Sequence, residues 1–478
     1  MKQLLALLLV AITAVVPLAA QYDMTFREAL DAMLLNNGSA KSARYDVDAA
    51  YNQLHVSRGL RLPKVDVIGG FTLMQRNVDI DLGGTKGVVA ESIKGLINSS
   101  VTSGLISSSV AQALAEGLSP LMAVDWRYTL QKRAFGVIGA TVSLPIYMGG
   151  RINIATKVAE LELDSSSYAL DATESHLVTE LVERYYGVIV ARSVVDVRRE
   201  VVTAMSRHLS DAQAMEQEGV VASSAVAYMR FKLSEAERDL QDAIGRVSVA
   251  EAALNLIIGN GESVNPVDRI FLYDNICAVD YYRDMADALN PILCGARLQQ
   301  QLSMEGVRLA RSLLYPELVA MGAAAIYSYQ LSDMVPRWSI GIGVRIPIFD
   351  GLGKEYNLRT AKRESQSVAS MVEDARGDIM LLVDKEYYAL QNAIYNIKAI
   401  RDAMAFAESY YYSASEGFRE GVVSPSDLYD ACVAVAAVRV EFLDAAYQFC
   451  LSLARLLEAS GLSDTFVSYL EQGEKVFI

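Results

Sequence analysis

The chain has 478 residues, 52% of them apolar and 21% charged; this excludes a disordered chain, and the length allows roughly three domains. Forty-three basic residues stand against 57 acidic ones, a net charge of −14, which argues against a nucleic-acid partner because phosphate binding needs a basic surface. Four scattered cysteines and three histidines are too few for a disulfide framework or a Cys/His metal site, so no metal or other cofactor is expected.

Residues 1–20 read as a secretory signal. Lys2 gives a positive start, Leu4 to Val16 is an apolar stretch broken only by Thr13, and Pro17-Leu18-Ala19-Ala20 ends in small residues suited to cleavage. The stretch is short for a membrane span, and no cysteine follows it to carry a lipid. No later segment is an apolar run of about 18 residues, the length of a spanning helix. Two fates stay open for an exported chain: a soluble protein, or one that crosses a membrane as β-strands.

The rest of the chain repeats itself once. Asn37 pairs with Asn290, Arg58 with Arg311 and Pro63 with Pro316, all at an offset of 253. Pro145 pairs with Pro347, Gly149 with Gly351, Tyr185-Tyr186 with Tyr387-Tyr388, Glu218-Gly219-Val220-Val221 with Glu420-Gly421-Val422-Val423, and Gly259 with Gly461, all at 202. The offset changes once, between Pro63 and Pro145, so the first copy carries 51 extra residues there. The landmarks divide the chain into a first repeat at 21–259, a linker at 260–279, a second repeat at 280–461 and a tail at 462–478.

In chain order, each repeat offers short helices, a β-hairpin, a very long helix, a turn and a shorter return helix. The first hairpin, 63–147, has Val65, Val67, Phe71 and Leu73 on one face of its first strand. In its second strand Ile138, Ala140, Val142, Leu144 and Ile146 alternate with Gly139, Thr141 and Ser143. The 51-residue insertion, about Asp81 to Arg133, is rich in Ser, Gly and Ala; it reads as a helical cap or a long surface loop, and an outward-facing loop is favoured. The segment 152–218 has no proline and one glycine, so it reads as a single helix of about 100 Å. After the turn Gly219-Val220-Val221-Ala222, a return helix is expected over 223–258.

The second hairpin, 316–349, is sharper in its last strand: Trp338, Ile340, Ile342, Val344, Ile346 and Ile348 alternate with Ser339, Gly341, Gly343, Arg345 and Pro347. Both faces of Glu317 to Tyr329 are apolar or small, so the facing of that strand stays open. A second long helix covers 354–419, followed by the turn Gly421-Val422-Val423-Ser424 and a return helix over 426–459. Helices this long need partners along their length. In each repeat the two shorter helices stacked end to end nearly match the long one, 60 residues against 67 and 58 against 66.

The strands have the length of tilted membrane strands, and Phe71, Tyr147, Tyr327, Tyr329, Trp338 and Phe349 are candidates for aromatic girdles. A soluble sandwich reads the same pattern. Four strands cannot close a barrel alone, however, and open edges are excluded from lipid, so spanning requires several chains. No catalytic constellation is present. His55, His176 and His208 are far apart, and no His-Glu-x-x-His, P-loop or Gly-x-Ser-x-Gly occurs. Cys432 and Cys450 lie about 27 Å apart along a helix and cannot pair, and the 16 methionines form no cluster.

Phe26-Arg27-Glu28-Ala29-Leu30, Asn290-Pro291, Pro316-Glu317-Leu318, Pro347-Ile348-Phe349-Asp350-Gly351 and the two Gly-Val-Val turns, in this order, resemble the TolC-like outer-membrane efflux proteins over nearly the whole chain. The resemblance implies a mainly α fold with a membrane β-barrel. Three tandem-duplicated protomers would give a 12-stranded barrel in the outer membrane of a Gram-negative cell and a helical tunnel in the periplasm. It implies a passive conduit, not an enzyme. The expected partners are outer-membrane lipid, a periplasmic adaptor protein and an inner-membrane pump of RND, MFS or ABC type, in efflux or type I secretion.

The turns 219–222 and 421–424 are then the adaptor-docking tips. Asp427 and Asp430, three apart on one helix face, are the acids matching the family's aperture gate, one ring of three carboxylates each. Ser424-Pro425-Ser426-Asp427 is also a helix-capping pattern, which gives Asp427 a purely structural reading. The family's mouth latch of Tyr, Arg and Asp is matched here by Phe418, Val423 and Ala225, none of which makes those bonds; apolar contact is the substitute the residues allow. Two other functions fit the exported chain: a dedicated metal-ion exporter subunit, for which the soft ligands are missing, and a structural coiled-coil protein without a channel.

Overall fold

The computed structural model describes residues 22–475, and the expected signal at 1–20 lies outside them. In the first repeat β1 (Tyr22–Met24) leads into α1 (Phe26–Asn36) and α2 (Gly38–Gly59). Then come β2 (Lys64–Leu73), β3 (Val78–Asp81), α3 (Gly83–Thr102), α4 (Ser108–Ala123), β4 (Arg127–Gln131) and β5 (Ala134–Met148). The long helix α5 (Arg151–Gln217) and its return α6 (Ser223–Ile258) complete the repeat, and β6 (Val264–Pro266) and β7 (Phe271–Leu272) follow. The second repeat is α7 (Val279–Leu289), α8 (Pro291–Ser312), β8 (Glu317–Tyr329), β9 (Trp338–Arg345), α9 (Gly353–Arg419) and α10 (Pro425–Ala459), trailed by α11 (Phe466–Gln472) and β10 (Glu474–Lys475). The long helices α5 and α9 have 67 residues each, about 100 Å at the α-helical rise.

The duplication is visible contact by contact. Asn37 donates from Nδ2 to the carbonyl of Ile257 at 2.9 Å, and Asn290 does the same to Ala459 at 2.8 Å. Arg44 donates to the carbonyl of Leu34 and Arg297 to that of Asp287. Each pair keeps the sequence offsets, so the repeated residues do repeated work. They close each return helix onto the junction of its two short helices, satisfying carbonyls that a helix end leaves without partners. The repeated glycines end the strands and helices in left-handed turns, with φ of 64° and 76° at Gly149 and Gly351 and 72° and 76° at Gly219 and Gly421.

The chain divides into two compact units. One is built from residues up to His55, Lys157–Val307 and residues from Arg359 on, and its core is helical. Phe26, Tyr185, Tyr186, Phe271, Phe449 and Phe466 form the aromatic centre of that core, all fully buried. The Tyr185 hydroxyl donates to the Met24 carbonyl at 2.8 Å and accepts from the amides of Val267 and Asp268, both at 3.2 Å, tying β1 and the post-β6 loop to the long helix.

The other unit, Val56–Thr156 and Arg308–Leu358, holds a four-stranded antiparallel sheet in the order β2-β5-β8-β9. β9 ends at Arg345, three residues before the expected Ile348; the following Ile346 and Pro347 are outside the ladder, and proline has no N–H to give it. The insertion is folded, not a loop: the antiparallel ribbon β3–β4 carries the helical pair α3 and α4.

Candidate functional site

The sheet has one apolar face. Residues paired across strands project to the same side. The register therefore places Val67, Ala140, Ala324 and Trp338 in one row, and Val65, Val142, Gly322 and Ile340 in the next. This fixes the facing of β8 that alternation left open: its even positions Leu318, Ala320 and Ala324 join the apolar side. The opposite face is mixed: Lys64, Asp66, Thr72, Thr141, Ser143, Ser339 and Arg345 stand among glycines, alanines and the apolar Ile68, Phe135, Val137, Val319 and Met321.

Two bulges then bring aromatic residues of the wrong parity onto the apolar side. The extra residue Ile146 in β5 sets Tyr147 opposite Leu318, and the extra residue Ile326 in β8 sets Tyr327 opposite Ile138 and Tyr329 opposite Gly136. Phe71 faces Gly136 from the other side, its ring 3.3 Å from where a Cβ would stand. Phe71, Tyr327 and Tyr329 thus mark one end of the face and Tyr147 the other. Eleven residues of β5 separate Gly136 from Tyr147, about 25 Å of height at a strand tilt near 45°. Trp338 stands within the band, and Phe349 lies beyond β9; both are exposed.

The helical unit brings the two tips together. A Cβ at Gly421 would meet Val220 at 3.5 Å and Met215 at 3.9 Å. Val220 and Val422 are exposed, at 60% and 76%. Gly219, Ala222, Gly421 and Ser424 are also exposed, while Val221 and Val423 are half-buried. Behind them lies a small core of Ala212, Val226, Met229, Ala414, Phe418, Leu428 and Ala431, against which Val423 packs. Phe418 and Val423, two of the positions where the resemblance called for a polar latch, are parts of this apolar seal.

Asp427 is engaged at the start of α10. Ser424 Oγ accepts from the Asp427 amide at 3.2 Å and donates to the Asp427 carboxylate at 2.7 Å, with Pro425 next in the chain. Asp427 and Asp430 are both exposed, so the capping bond leaves the two carboxylates on the surface of the tip.

Two polar joints near the tips escaped the sequence reading. His208 of α5 is 2% exposed and shares a hydrogen bond of 3.0 Å between Nε2 and the Tyr411 hydroxyl of α9, while its Nδ1 and the nearby buried Asp211 Oδ2 have no hydrogen-bond partner. The signal was present in the spacing: Met205, His208, Ala212 and Met215 fall on one helix face. Lys232 of α6 sits 4.4 Å from the ring centre of Tyr429 of α10 and 5.7 Å from that of Tyr228, with Glu235 at 2.7 Å. This cation–π joint pins the two return helices together beside Asp430.

Burial pushes the His208 imidazole below its ordinary pKa; the Asp211 carboxylate works against this, and Arg207 and Arg419 reinforce it. A depressed histidine pKa means that the unfolded chain binds the proton more readily, so the tip's packing is fully stabilised above the ordinary value of about 6.5 and loses stability as pH falls below it. Hydrogen exchange, corrected for its intrinsic pH dependence, should show the tip segments 205–229 and 411–431 losing protection between about pH 7.5 and about pH 5. His208→Phe should flatten that dependence, and an unchanged acid response would assign it to other groups.

Among the described residues no group of three His, Cys, Asp or Glu side chains is placed to hold a metal ion, and no helix is long and apolar enough to cross a membrane. Cys432 and Cys450 are buried free thiols.

The family model of the outer membrane efflux protein matches residues 29–260 and 283–462, one segment in each repeat. BepC, an outer membrane efflux protein of Brucella suis, is 21% identical over 352 residues, covering 73% of this chain and 75% of its own. TolC, an outer membrane protein of Escherichia coli, is 21% identical over 444 residues, covering 89% and 80%. Among solved structures, CusC shares the fold with a TM-score of 0.72 at 15% identity, covering 92% of this chain and 93% of its own. The Campylobacter jejuni CmeC outer membrane channel does so with a TM-score of 0.71 at 15% identity, covering 94% and 88%. With both repeats matched by that model, the chain belongs to the outer membrane efflux protein family and works in efflux at the outer membrane.

Proposed function

We propose that the chain is the exit duct of a tripartite efflux pump or type I secretion system: a passive conduit, not an enzyme, exported by the signal at 1–20. The observation that carries this reading is the sheet. It has an apolar face ended by aromatic residues, a mixed face behind it that carries all of the sheet's charged side chains, and two unpaired edges, β2 and β9. Lipid does not tolerate unpaired edges. A homotrimer removes them by joining each β9 to a neighbour's β2, giving twelve strands around one bore, with the charge-bearing mixed face inward. In this assembly Phe71, Tyr147, Tyr327, Trp338 and Phe349 anchor the barrel to the outer-membrane lipid. The tips Gly219 to Ala222 and Gly421 to Ser424 present exposed valines to the helical hairpins of a periplasmic adaptor, and an inner-membrane pump (RND, MFS or ABC) supplies substrate and energy. Asp427 and Asp430 ring the inner aperture and attract cations.

Planar-bilayer recording on the detergent-purified protein tests this. Discrete ion-conducting steps are expected. The double substitution Asp427→Ala with Asp430→Ala should raise the conductance or abolish block by divalent cations, whereas unchanged currents would leave the acids a capping role only. Val422→Glu should leave the currents intact but abolish efflux in cells, and full efflux would remove the tip from the docking surface. A water-soluble monomer without currents would return the chain to a structural coiled-coil role.

A further inference from the structure

The 51 residues by which the repeats differ lie at the far tip of one hairpin, β2–β5, whereas the equivalent hairpin β8–β9 closes over residues 330–337. The sheet therefore does not need them. Yet they are built with care. The ribbon β3–β4 is antiparallel, with the Asp81 and Arg127 side chains 3.6 Å apart. Lys86 reaches across the base of the helical pair to the Val124 carbonyl at 2.7 Å, and Ser107 caps α4. The base is fastened to the sheet's other turn: Gln131 donates to the Gln330 carbonyl at 2.8 Å and accepts from the Ser332 amide at 2.8 Å. The ribbon that carries the helical pair is thus tied to both hairpins.

What this scaffold displays is poorly suited to water. Between Gly83 and Ala123 only Lys86, Glu91, Lys94 and Glu116 are charged, two of each sign. α3 buries no residue, and Val88, Leu96 and Leu105 are exposed at 67%, 67% and 78%, with Val110 and Leu114 also exposed on α4. A helix pair that is neither polar nor buried lacks a partner. The position of the insertion identifies one. It joins the edge strand β2 to β5, and in the trimer proposed above a neighbouring copy adds its β9 at that edge. Copies arranged round one bore carry their helical pairs to the same mouth, and Gly84, Gly87 and Gly95 on α3 allow close helix approach.

Resting on the channel reading above, we propose that the α3–α4 pairs of neighbouring copies pack on one another through Val88, Leu96, Leu105, Val110 and Leu114 to form a helical cap that narrows the outer mouth of the bore. The occupant of the apolar face is a second copy of this chain, and the cap is a barrier that only one of the two repeats supplies.

The experiment uses the full chain in planar bilayers with potassium chloride as the probe. Replacing residues 84–123 by a short glycine turn, which leaves the β3–β4 ribbon, should raise single-channel conductance by roughly threefold or more. The milder variant Leu96→Glu with Leu114→Glu, on exposed positions, should raise it in the same direction and guards against a deletion that fails to fold. In cells, Leu114→Cys in a Cys277→Ser, Cys294→Ser background should give dimers and trimers with a short bis-maleimide. Equal conductance in all three proteins, with no cross-linked species, overturns the cap while the channel stands. Protection of that cysteine from maleimide in membranes but not in detergent, without cross-links, assigns the face to lipid and also overturns the cap. Absence of current from every protein, wild type included, removes the channel reading and the cap with it.

Discussion

Phe418→Ala is expected to unlock the two helix tips from each other, at a local cost of about 3–5 kcal/mol. The ring, on α9, is 1% exposed and packs among Ala212, Val226, Met229, Leu428 and Ala431, contributed by the other three helices that meet at the tips. Ala212 and Ala431 have no side chain to extend into the space, which leaves Met229 and Leu428 to fill part of it, so most of the cavity term applies. The ring also stands edge-on to His208, at 6.5 Å between centroids, and its removal exposes an imidazole whose Nδ1 has no hydrogen-bond partner to lose. Water would then reach His208 and raise its pKa toward the ordinary value. Hydrogen exchange should therefore report faster opening of 209–229 and 414–431 at neutral pH and a weaker acid response than in the wild type. Phe418→Leu, which keeps most of the volume, should cost clearly less. Unchanged protection in Phe418→Ala would show that the tips are held elsewhere, with the Lys232–Tyr429 contact the first place to look.

Much of this architecture was legible because it is written in local rules. Strict alternation from Trp338 to Ile348 marks a strand, and proline-free runs mark the long helices. A constant offset between Asn37 and Asn290, or Gly259 and Gly461, marks residues that repeat a backbone geometry. What stayed illegible depends on a partner segment. The facing of β8 and the parity of Tyr147, Tyr327 and Tyr329 are set by bulges at Ile146 and Ile326, which exist only relative to the paired strand. Burial is likewise not copied with the sequence. Tyr186 is fully buried against Phe26 and Phe271, whereas its repeat partner Tyr388 is 59% exposed. The first repeat's long helix receives β7 and its phenylalanine from the linker, and a linker has no counterpart in a duplication. The insertion looked like a loop because its Ser, Gly and Ala content speaks for turns, yet the paired ribbon at its base holds α3 and α4 against each other.

Gly461→Ala is expected to damage the protein far more than Gly259→Ala, although the two glycines are repeat partners. Both end a return helix in the left-handed region, at φ of 70° and 68°, so the conformational penalty for an alanine is the same at the two sites, about 1–2 kcal/mol. The surroundings differ. A Cβ at Gly259 would meet the Asn36 carbonyl oxygen at 3.4 Å, an ordinary contact. A Cβ at Gly461 would stand 2.6 Å from the Leu289 carbonyl carbon and oxygen and 2.9 Å from the Asn290 amide nitrogen. These are backbone atoms at the junction of α7 and α8, and that junction is fastened by Asn290, which donates to the Ala459 carbonyl at 2.8 Å and accepts from the Leu293 amide at 3.0 Å. Relief of the clash must push the junction away and break the bond that closes the second repeat. The loss at Gly461 should exceed that at Gly259 by about 2 kcal/mol or more, the scale of a lost buried hydrogen bond with its desolvated partner. Denaturant midpoints of the purified protein, measured with the wild type alongside, give the comparison. Because the left-handed penalty cancels between the two variants, their difference isolates the steric term. Equal losses would mean that the α7–α8 junction yields freely and that the asymmetry between the repeats carries no energy at this site.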